Sequence, residues 1–124
     1  ESRKVKVIIY MGVNKFEDIL AWQKAGELTM NIYKTFQDNK DFAFRDQIRR
    51  ASVSIMNNIA EGFERYSNKE FKRFLYIAKG SCGEVRSMLY LAIKLNYVSE
   101  KQFNDYYSKT VEISKMLAGF IKSL

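Results

Sequence analysis

The sequence predicts an all-α fold, an antiparallel up-down-up-down four-helix bundle, and three observations lead to it. The 124 residues include no proline and are 47% hydrophobic, a composition that suits long, uninterrupted helices. Apolar residues recur at every third or fourth position along four stretches, which is the period of amphipathic helices. Short polar connections separate these stretches, as expected of helices that pack as sequential neighbours.

Residues 1–14 are predicted to form an N-terminal appendage, and residues 15–124 the bundle domain. The appendage is interpreted as flexible, introduced by cloning or translated from upstream, with Met11 as a candidate native start. The apolar run within it is short and charged residues follow at once, which argues against a signal peptide. No apolar run approaches the ~20 residues that cross a bilayer, so we expect no membrane partner.

The first helix is predicted from about Lys15 to Phe36, because Asn14 and Glu17 have the spacing of a capping box. Its apolar face consists of Ala21, Trp22, Ala25, Leu28, Thr29, Ile32 and Phe36. Turn-forming residues follow, and then Phe42 and Phe44. We expect both aromatic rings to plug the end of the core, although contact with a ligand is an open alternative.

The second helix is predicted to be central, and its main segment reads QIRRASVSIMNNIAEG from Gln47 to Gly62. Small residues recur on its buried face and allow a neighbouring helix to approach closely. That face consists of Ile48, Ala51, Ser52, Ile55, Ile59 and Gly62. The helix is expected to end at about Tyr66.

The third helix is predicted to begin at Ser67, which forms a capping box with Glu70, and to end at Asn96. Its core stripe is Phe71, Phe74, Leu75, Ala78, Cys82, Val85, Leu89, Ala92 and Ile93. Gly80 and Gly83 each cost roughly 1 kcal/mol of helix propensity relative to alanine. We therefore expect close packing or a close ligand beside them.

The fourth helix is predicted to begin with a capping box of Ser99 and Gln102 and to run to the end of the chain. Its apolar face consists of Phe103, Tyr106, Tyr107, Thr110, Ile113, Leu117, Ala118 and Ile121.

Composition argues against catalysis and favours an anionic partner. The chain has no histidine, which removes the commonest general base and most zinc ligand sets, so we expect no enzyme activity, metal or cofactor. The one cysteine, Cys82, is predicted to be a buried thiol, which fits a reducing cytoplasm. A formal net charge of +7 makes nucleic acid a plausible partner.

The candidate nucleic-acid-binding residues lie mainly on the outer face of the third helix, where basic residues alternate with tyrosines. Lysine and arginine neutralise phosphates, and aromatic rings stack on bases. The set is Lys69, Lys72, Arg73, Tyr76, Lys79, Arg86, Tyr90 and Lys94, with Arg49 and Arg50 from the second helix. A merely solvated face is the alternative for the third helix, and pairing with nearby acids is the alternative for the arginines.

A second group of residues is predicted to fix the packing of the second and third helices through hydrogen bonds and small side chains. It consists of Asn58, Glu61, Gly62, Gly80, Ser81 and Glu84. A di-iron carboxylate site is disfavoured because such sites need Glu-x-x-His pairs. Val53, Met56 and Ala60 lie off the core face, which indicates self-association or scattered surface hydrophobic residues.

Three segments carry a family resemblance: QIRRASVSIMNNIAEG, S-x-x-E-F from Ser67 to Phe71, and A-x-G-S-x-x-E from Ala78 to Glu84. They resemble the four-helix-bundle family of 23S ribosomal RNA intervening-sequence proteins, and the chain is also similar to the accessory variability proteins of retroelements. The resemblance implies a small bacterial protein, assembly into ring-like pentamers and a role in nucleic-acid binding. The positions that match the family pattern are Arg49, Arg50, Asn58, Glu61, Gly62, Gly80, Ser81 and Glu84.

The leading hypothesis is a non-enzymatic homo-oligomer that binds nucleic acid, RNA more than DNA, through phosphate contacts on the third helix. The alternative is an interaction scaffold whose basic surface docks a nucleic-acid enzyme such as a reverse transcriptase.

Overall fold

The structure, a computed structural model, describes residues 12–124 and is all-α. A short 3-10 turn at Phe16–Asp18 precedes four helices, and no residue from 12 to 124 lies in a strand. The helices are α1 (Leu20–Thr35), α2 (Phe42–Phe63), α3 (Asn68–Lys94) and α4 (Glu100–Ser123). The prediction of four helices is confirmed.

Most of the predicted N-terminal appendage lies outside the described residues, which begin at Gly12. Val13 belongs to the predicted appendage and is among the described residues; it is 6% exposed and is part of the hydrophobic core. The division of the chain at residue 14 stays a prediction.

The predicted start of the first helix is wrong. α1 begins at Leu20 rather than Lys15, and no side chain caps either α1 or the 3-10 turn before it. Ile19 occupies the N-cap position of α1 and is 3% exposed, so burial of an apolar side chain sets this end of the helix. The 3-10 turn places the Phe16 ring edge-on against Trp22, with ring centroids 5.3 Å apart.

α2 has the buried face that its sequence predicts, since all six predicted residues are buried. Oδ1 of Asp41 caps the helix by accepting a 3.2 Å hydrogen bond from the backbone N–H of Phe44. Phe44 is buried as expected, but Phe42 is 58% exposed and the prediction that it plugs the core is wrong. The Arg45 guanidinium covers the Phe42 ring, 4.7 Å from its centroid.

The ends of α3 and α4 are set by local hydrogen bonds. Ser67 and Ser99 are the N-caps, and Ser99 forms the complete predicted capping box with Gln102. α3 ends at Lys94, because Asn96 adopts a left-handed φ of 59°. The backbone N–H groups of Asn96 and Tyr97 donate to the carbonyls of Ile93 and Ala92, which is a Schellman motif.

Each helix contacts its neighbours along the chain, and α1 also contacts α4. Contacts between α2 and α3 run in opposite order along the two helices: Gln47 meets Glu84, and Ser54 meets Ser81. Near the end of α2, a Cβ added to Gly62 would lie 2.6 Å from Cβ of Phe74. The absence of a side chain at Gly62 is therefore what allows α3 to approach α2 there.

The apolar stripes of all four helices meet in one core. On α3 every predicted core residue is buried except Ile93, which is half-buried. On α4, Ala118 is exposed and the prediction that it faces the core is wrong. Ser114 and Phe120 are buried there instead.

Candidate nucleic-acid interface

The outer surface of α3 divides into two sides, because successive helical residues are turned by about 100°. One side faces α4: Tyr90 packs against Phe103 and Tyr107 with centroids 5.3 and 5.6 Å apart. The other faces α2, where Glu84 accepts a 2.5 Å hydrogen bond from Gln47. The side nearer α4 is called the basic side and consists of Lys69, Lys72, Tyr76, Lys79, Arg86, Tyr90 and Lys94.

Residues of the basic side are accessible to a ligand. Lys69 and Lys94 are exposed, whereas Lys72, Lys79 and Arg86 are half-buried. Long cationic side chains commonly bury their aliphatic stems and keep the charged group in water. Tyr76 is 61% exposed and Tyr90 is 50% exposed. Both kinds of group that the sequence analysis singled out are therefore present on one surface.

Arg73 lies at the margin of this surface, next to an acid. Its Nε is 3.2 Å from Oε2 of Glu70, and its guanidinium lies over the Phe74 ring, 5.0 Å from the centroid. The charge of Arg73 is partly compensated within the helix, so it is a weaker candidate for a phosphate contact than the lysines of the basic side.

Arg49 and Arg50 lie on α2 and engage neighbours away from the basic side. Arg49 donates a 3.0 Å hydrogen bond to the carbonyl of Tyr33 in α1 and stacks on the Tyr33 ring at 4.5 Å. Arg50 donates a 3.2 Å hydrogen bond to Oε1 of Gln47, the residue that itself bonds to Glu84. Arg49 therefore ties α2 to α1, whereas the hydrogen bond of Arg50 lies within α2. The structure does not bring either arginine to the α3 lysines.

The hydrogen-bond network predicted between α2 and α3 is present around two serines. The hydroxyls of Ser54 and Ser81 are 2.9 Å apart, and Nδ2 of Asn58 donates to Oγ of Ser54 at 2.9 Å and to its carbonyl at 2.8 Å. Glu84 joins the helices one turn further along, through Gln47.

Two residues predicted for this network do not join the helices. Glu61 forms a 2.7 Å ion pair with Arg65, which lies just past the end of α2. Gly80 is exposed, and a Cβ added there would have nothing within 4 Å among the described residues. The expected close contact beside Gly80 is therefore not made between residues of the described chain.

Sequence reasoning missed the contribution of α4 to the site. Lys115 lies on the same groove as Lys79 and Arg86, together with Tyr107 and Ser114. Helical spacing places Tyr107 on the apolar face of α4, and the residue is half-buried. The signal was present: Tyr107, Ser114 and Lys115 fall on one flank of α4.

Two titratable groups report the positive charge of the basic side. Burial raises the pKa of the Cys82 thiol to about 11, and the neighbouring charges of Arg86 and Lys79 act in the opposite direction. A hydrogen bond with Tyr107 raises the pKa of Tyr90, against the opposing effect of Arg86. The cations thus lie close to both groups.

Residues 12–124 contain no cluster of three or more His, Cys, Asp or Glu residues that could hold a metal ion. None of the helices in that range is long and apolar enough to span a membrane.

Comparison with known proteins places these features in a family. The sequence model of the family described as 23S rRNA-intervening sequence protein matches residues 17–119. The fold is similar to the crystal structure of a protein of unknown function from the S23 ribosomal protein family of Bacteroides thetaiotaomicron, with a TM-score of 0.78. The two sequences are 30% identical over 83% of this chain and 99% of that one. No curated protein matches the chain.

Proposed function

The chain belongs to the 23S rRNA-intervening sequence protein family, and from that premise we propose that it is a homo-oligomeric nucleic-acid-binding protein that catalyses no reaction. The observation that carries the proposal is the basic side of α3. It combines four lysines and an arginine with two exposed tyrosines. The two acids of α3, Glu70 and Glu84, engage Arg73 and Gln47 outside it.

The ligand is RNA in preference to DNA, in keeping with the ribosomal RNA insertions after which the family is named. Binding is driven by phosphate neutralisation, which releases condensed counterions and makes affinity fall steeply with salt. Sequence preference is low, because flexible lysines contact phosphates without reading base edges. The cytoplasm, where RNA and a reduced Cys82 coexist, is the expected location.

The helices form an antiparallel up-down-up-down bundle. This inference is supported by the opposite order of the α2–α3 contacts and by the short connections between all four helices. Such a bundle holds α3 rigidly along its length, so the spacing between the cations of the basic side is preorganised for a ligand.

Self-association uses the opposite side of α3, where Ile77, Leu91 and Leu95 lie on the same flank as Glu84. We call these three apolar residues the apolar side. These side chains are 43%, 48% and 44% exposed, and they share one flank of the helix. A second copy of the chain that covers them would remove apolar surface from water. Ring-like pentamers are the form that the family resemblance implies.

The two sides of α3 have complementary roles in this proposal. Association through the apolar side leaves the basic side of every copy free. Each copy then offers the same weak phosphate contacts, and their number raises the overall affinity for a long ligand.

The test is a titration of labelled structured RNA, single-stranded RNA and duplex DNA with the protein over a range of salt concentrations. A variant with Lys72→Ala, Lys79→Ala and Lys94→Ala removes three charges from the basic side. The matched control, Lys15→Ala with Lys34→Ala and Lys40→Ala, removes three exposed lysines elsewhere. We expect the first variant to lose most affinity and to flatten the log–log salt slope by about 2 for single strands.

Failure of wild-type protein to bind any of the three ligands at low salt would overturn the proposal. It would favour the scaffold alternative, in which the basic surface docks a nucleic-acid enzyme such as a reverse transcriptase. Equal losses in the two triple variants would mean that net charge, rather than the basic side of α3, determines binding.

A further inference from the structure

A groove runs between α3 and α4 on the outer surface, with a volume of about 380 Å³. Lys79 and Arg86 line it from α3, and Tyr107, Ser114 and Lys115 line it from α4. We call it the α3–α4 groove. It extends the basic side of α3 onto a second helix.

The charge in this groove is of one sign. Three of its lining side chains are cationic and none is a carboxylate. The ion pairs formed between residues 12 and 124 do not involve Lys79, Arg86 or Lys115. Lys79 and Arg86 are two helical turns apart, which is about 10 Å along the axis. Uncompensated cations in a concave site concentrate the positive potential and attract anions.

Tyr107, which lines the groove, belongs to a cluster of aromatic rings. Tyr107 stacks on Phe103 with an interplanar angle of 28°, and Tyr90 packs edge-on against Tyr107 at 77°. These contacts hold Tyr90 in place although half of its surface is exposed. A fixed and accessible ring beside a row of cations is the arrangement that proteins use to bind single strands, with bases on the ring and phosphates on the cations.

We propose that the α3–α4 groove binds one strand of nucleic acid, with phosphates against Lys79, Arg86 and Lys115 and an unpaired base stacked on Tyr90. This inference rests on the proposed function and gives it a location and a strand preference. Single-stranded RNA binds better than a duplex of the same length, because paired bases are stacked within the helix and do not reach Tyr90.

An acidic peptide is the other ligand that would meet the same cations. The accessible ring of Tyr90 favours nucleic acid, because carboxylate side chains gain nothing from an aromatic face whereas every base has one. Polyglutamate therefore serves as the competing probe in the test.

The decisive experiment compares Lys115→Ala with Lys109→Ala by fluorescence anisotropy of a labelled single-stranded RNA at several salt concentrations. Both changes remove one lysine from α4, but Lys109 is six residues away and turned by about 120° from Lys115. Lys115 lines the groove, whereas Lys109 is not among its lining residues. We expect Lys115→Ala to weaken binding several-fold and to lower the salt slope by about 0.7, and Lys109→Ala to change little.

A second variant separates stacking from charge. We expect Tyr90→Leu to weaken binding of single-stranded RNA roughly tenfold and to leave duplex RNA nearly unaffected. Thermal melting checks that each variant is folded, and Lys115→Glu provides an independent change at an exposed position with no packing role.

The outcomes separate this inference from the proposed function. If wild-type protein binds no nucleic acid, both fail. If wild-type protein binds RNA but Lys115→Ala and Lys109→Ala lose equally little affinity, the groove is excluded as the binding site and the proposed function stands. Polyglutamate that binds as tightly as single-stranded RNA would overturn the assignment of the groove to nucleic acid.

Discussion

The hydroxyl of Tyr97, in the connection between α3 and α4, donates a 2.6 Å hydrogen bond to Oδ2 of Asp41, in the connection between α1 and α2. The other carboxylate oxygen of Asp41 accepts from the backbone N–H of Phe44 and caps α2. One carboxylate therefore joins two loops at the same end of the molecule. Tyr97 also packs its ring edge-on against Phe44, with centroids 5.2 Å apart.

This bond makes stability depend on pH in a defined window. The hydrogen bond from Tyr97, and then that from Phe44, lower the pKa of Asp41 below its usual 3.8. The same bond raises the pKa of Tyr97 above its usual 10.0. Asp41 thus contributes stability above pH 3.8 that is lost as the pH falls through its folded pKa. Tyr97 contributes stability below pH 10.0, and this stability is lost as the pH rises through the folded pKa of Tyr97.

Tyr97→Phe removes the hydroxyl and keeps the ring. We expect the melting temperature to fall at neutral pH, and the difference from wild type to shrink in acid below pH 3.8 and in alkali above pH 10.0. Circular dichroism melts across the pH range measure this. Tyr66→Phe is the control, because Tyr66 is 77% exposed. A difference that does not vary with pH would exclude the Asp41 bond as its cause.

We expect substitution by alanine to have opposite effects on stability at two glycines, Gly62 of α2 and Gly80 of α3. Gly62→Ala forces a Cβ to within 2.6 Å of Phe74 Cβ and 3.0 Å of Phe71 Cδ1, so we expect a loss of about 1–3 kcal/mol. Gly80→Ala meets no atom within 4 Å, so we expect a gain of up to about 1 kcal/mol from helix propensity. Urea unfolding gives both free energies. If both variants are less stable than wild type, helix propensity does not decide the effect of the substitution at Gly80.

The features predicted correctly from the sequence are those decided by local geometry. The buried faces of α2 and α3 follow from helical periodicity, and the caps at Ser67 and Ser99 follow from hydrogen bonds within one turn. The start of α1 was wrong because burial of Ile19, a long-range effect, prevailed over the Asn14–Glu17 pattern. Phe42 was wrong because residues two apart in a helix point about 160° away from each other, and Phe44 already faces the core.

The candidate site was only half predictable for a similar reason. Periodicity places Lys79, Arg86 and Tyr90 on the outer surface of α3, but it does not say which helix each flank faces. That is why Lys115 of α4 was missed. The Asp41–Tyr97 bond, between residues 56 apart in the chain, is likewise fixed by tertiary packing alone.

Cys82 is predicted to be unreactive in the folded protein. It is fully buried, and its pKa of about 11 compared with the usual 9.0 lowers the thiolate fraction near pH 8 about a hundredfold. We expect an aromatic disulfide reagent to label it at least a hundredfold more slowly than in urea-unfolded protein. Equal rates in the two states would contradict the buried position of the thiol.

The apolar side of α3 predicts which surface residue controls assembly. Leu91→Lys places a charge in the surface that the proposed self-association buries, and an unpaired charge cannot be buried without a large desolvation cost. We expect sedimentation to show a shift from oligomer to monomer, with helix content unchanged. Met30→Lys is the matched control, because Met30 is 60% exposed on α1. A monomeric wild type, or the same shift in both variants, would refute the role of this side.

If Leu91→Lys alone dissociates the oligomer, its RNA affinity should fall even though every cation of the basic side is retained, because the contacts are no longer multiplied.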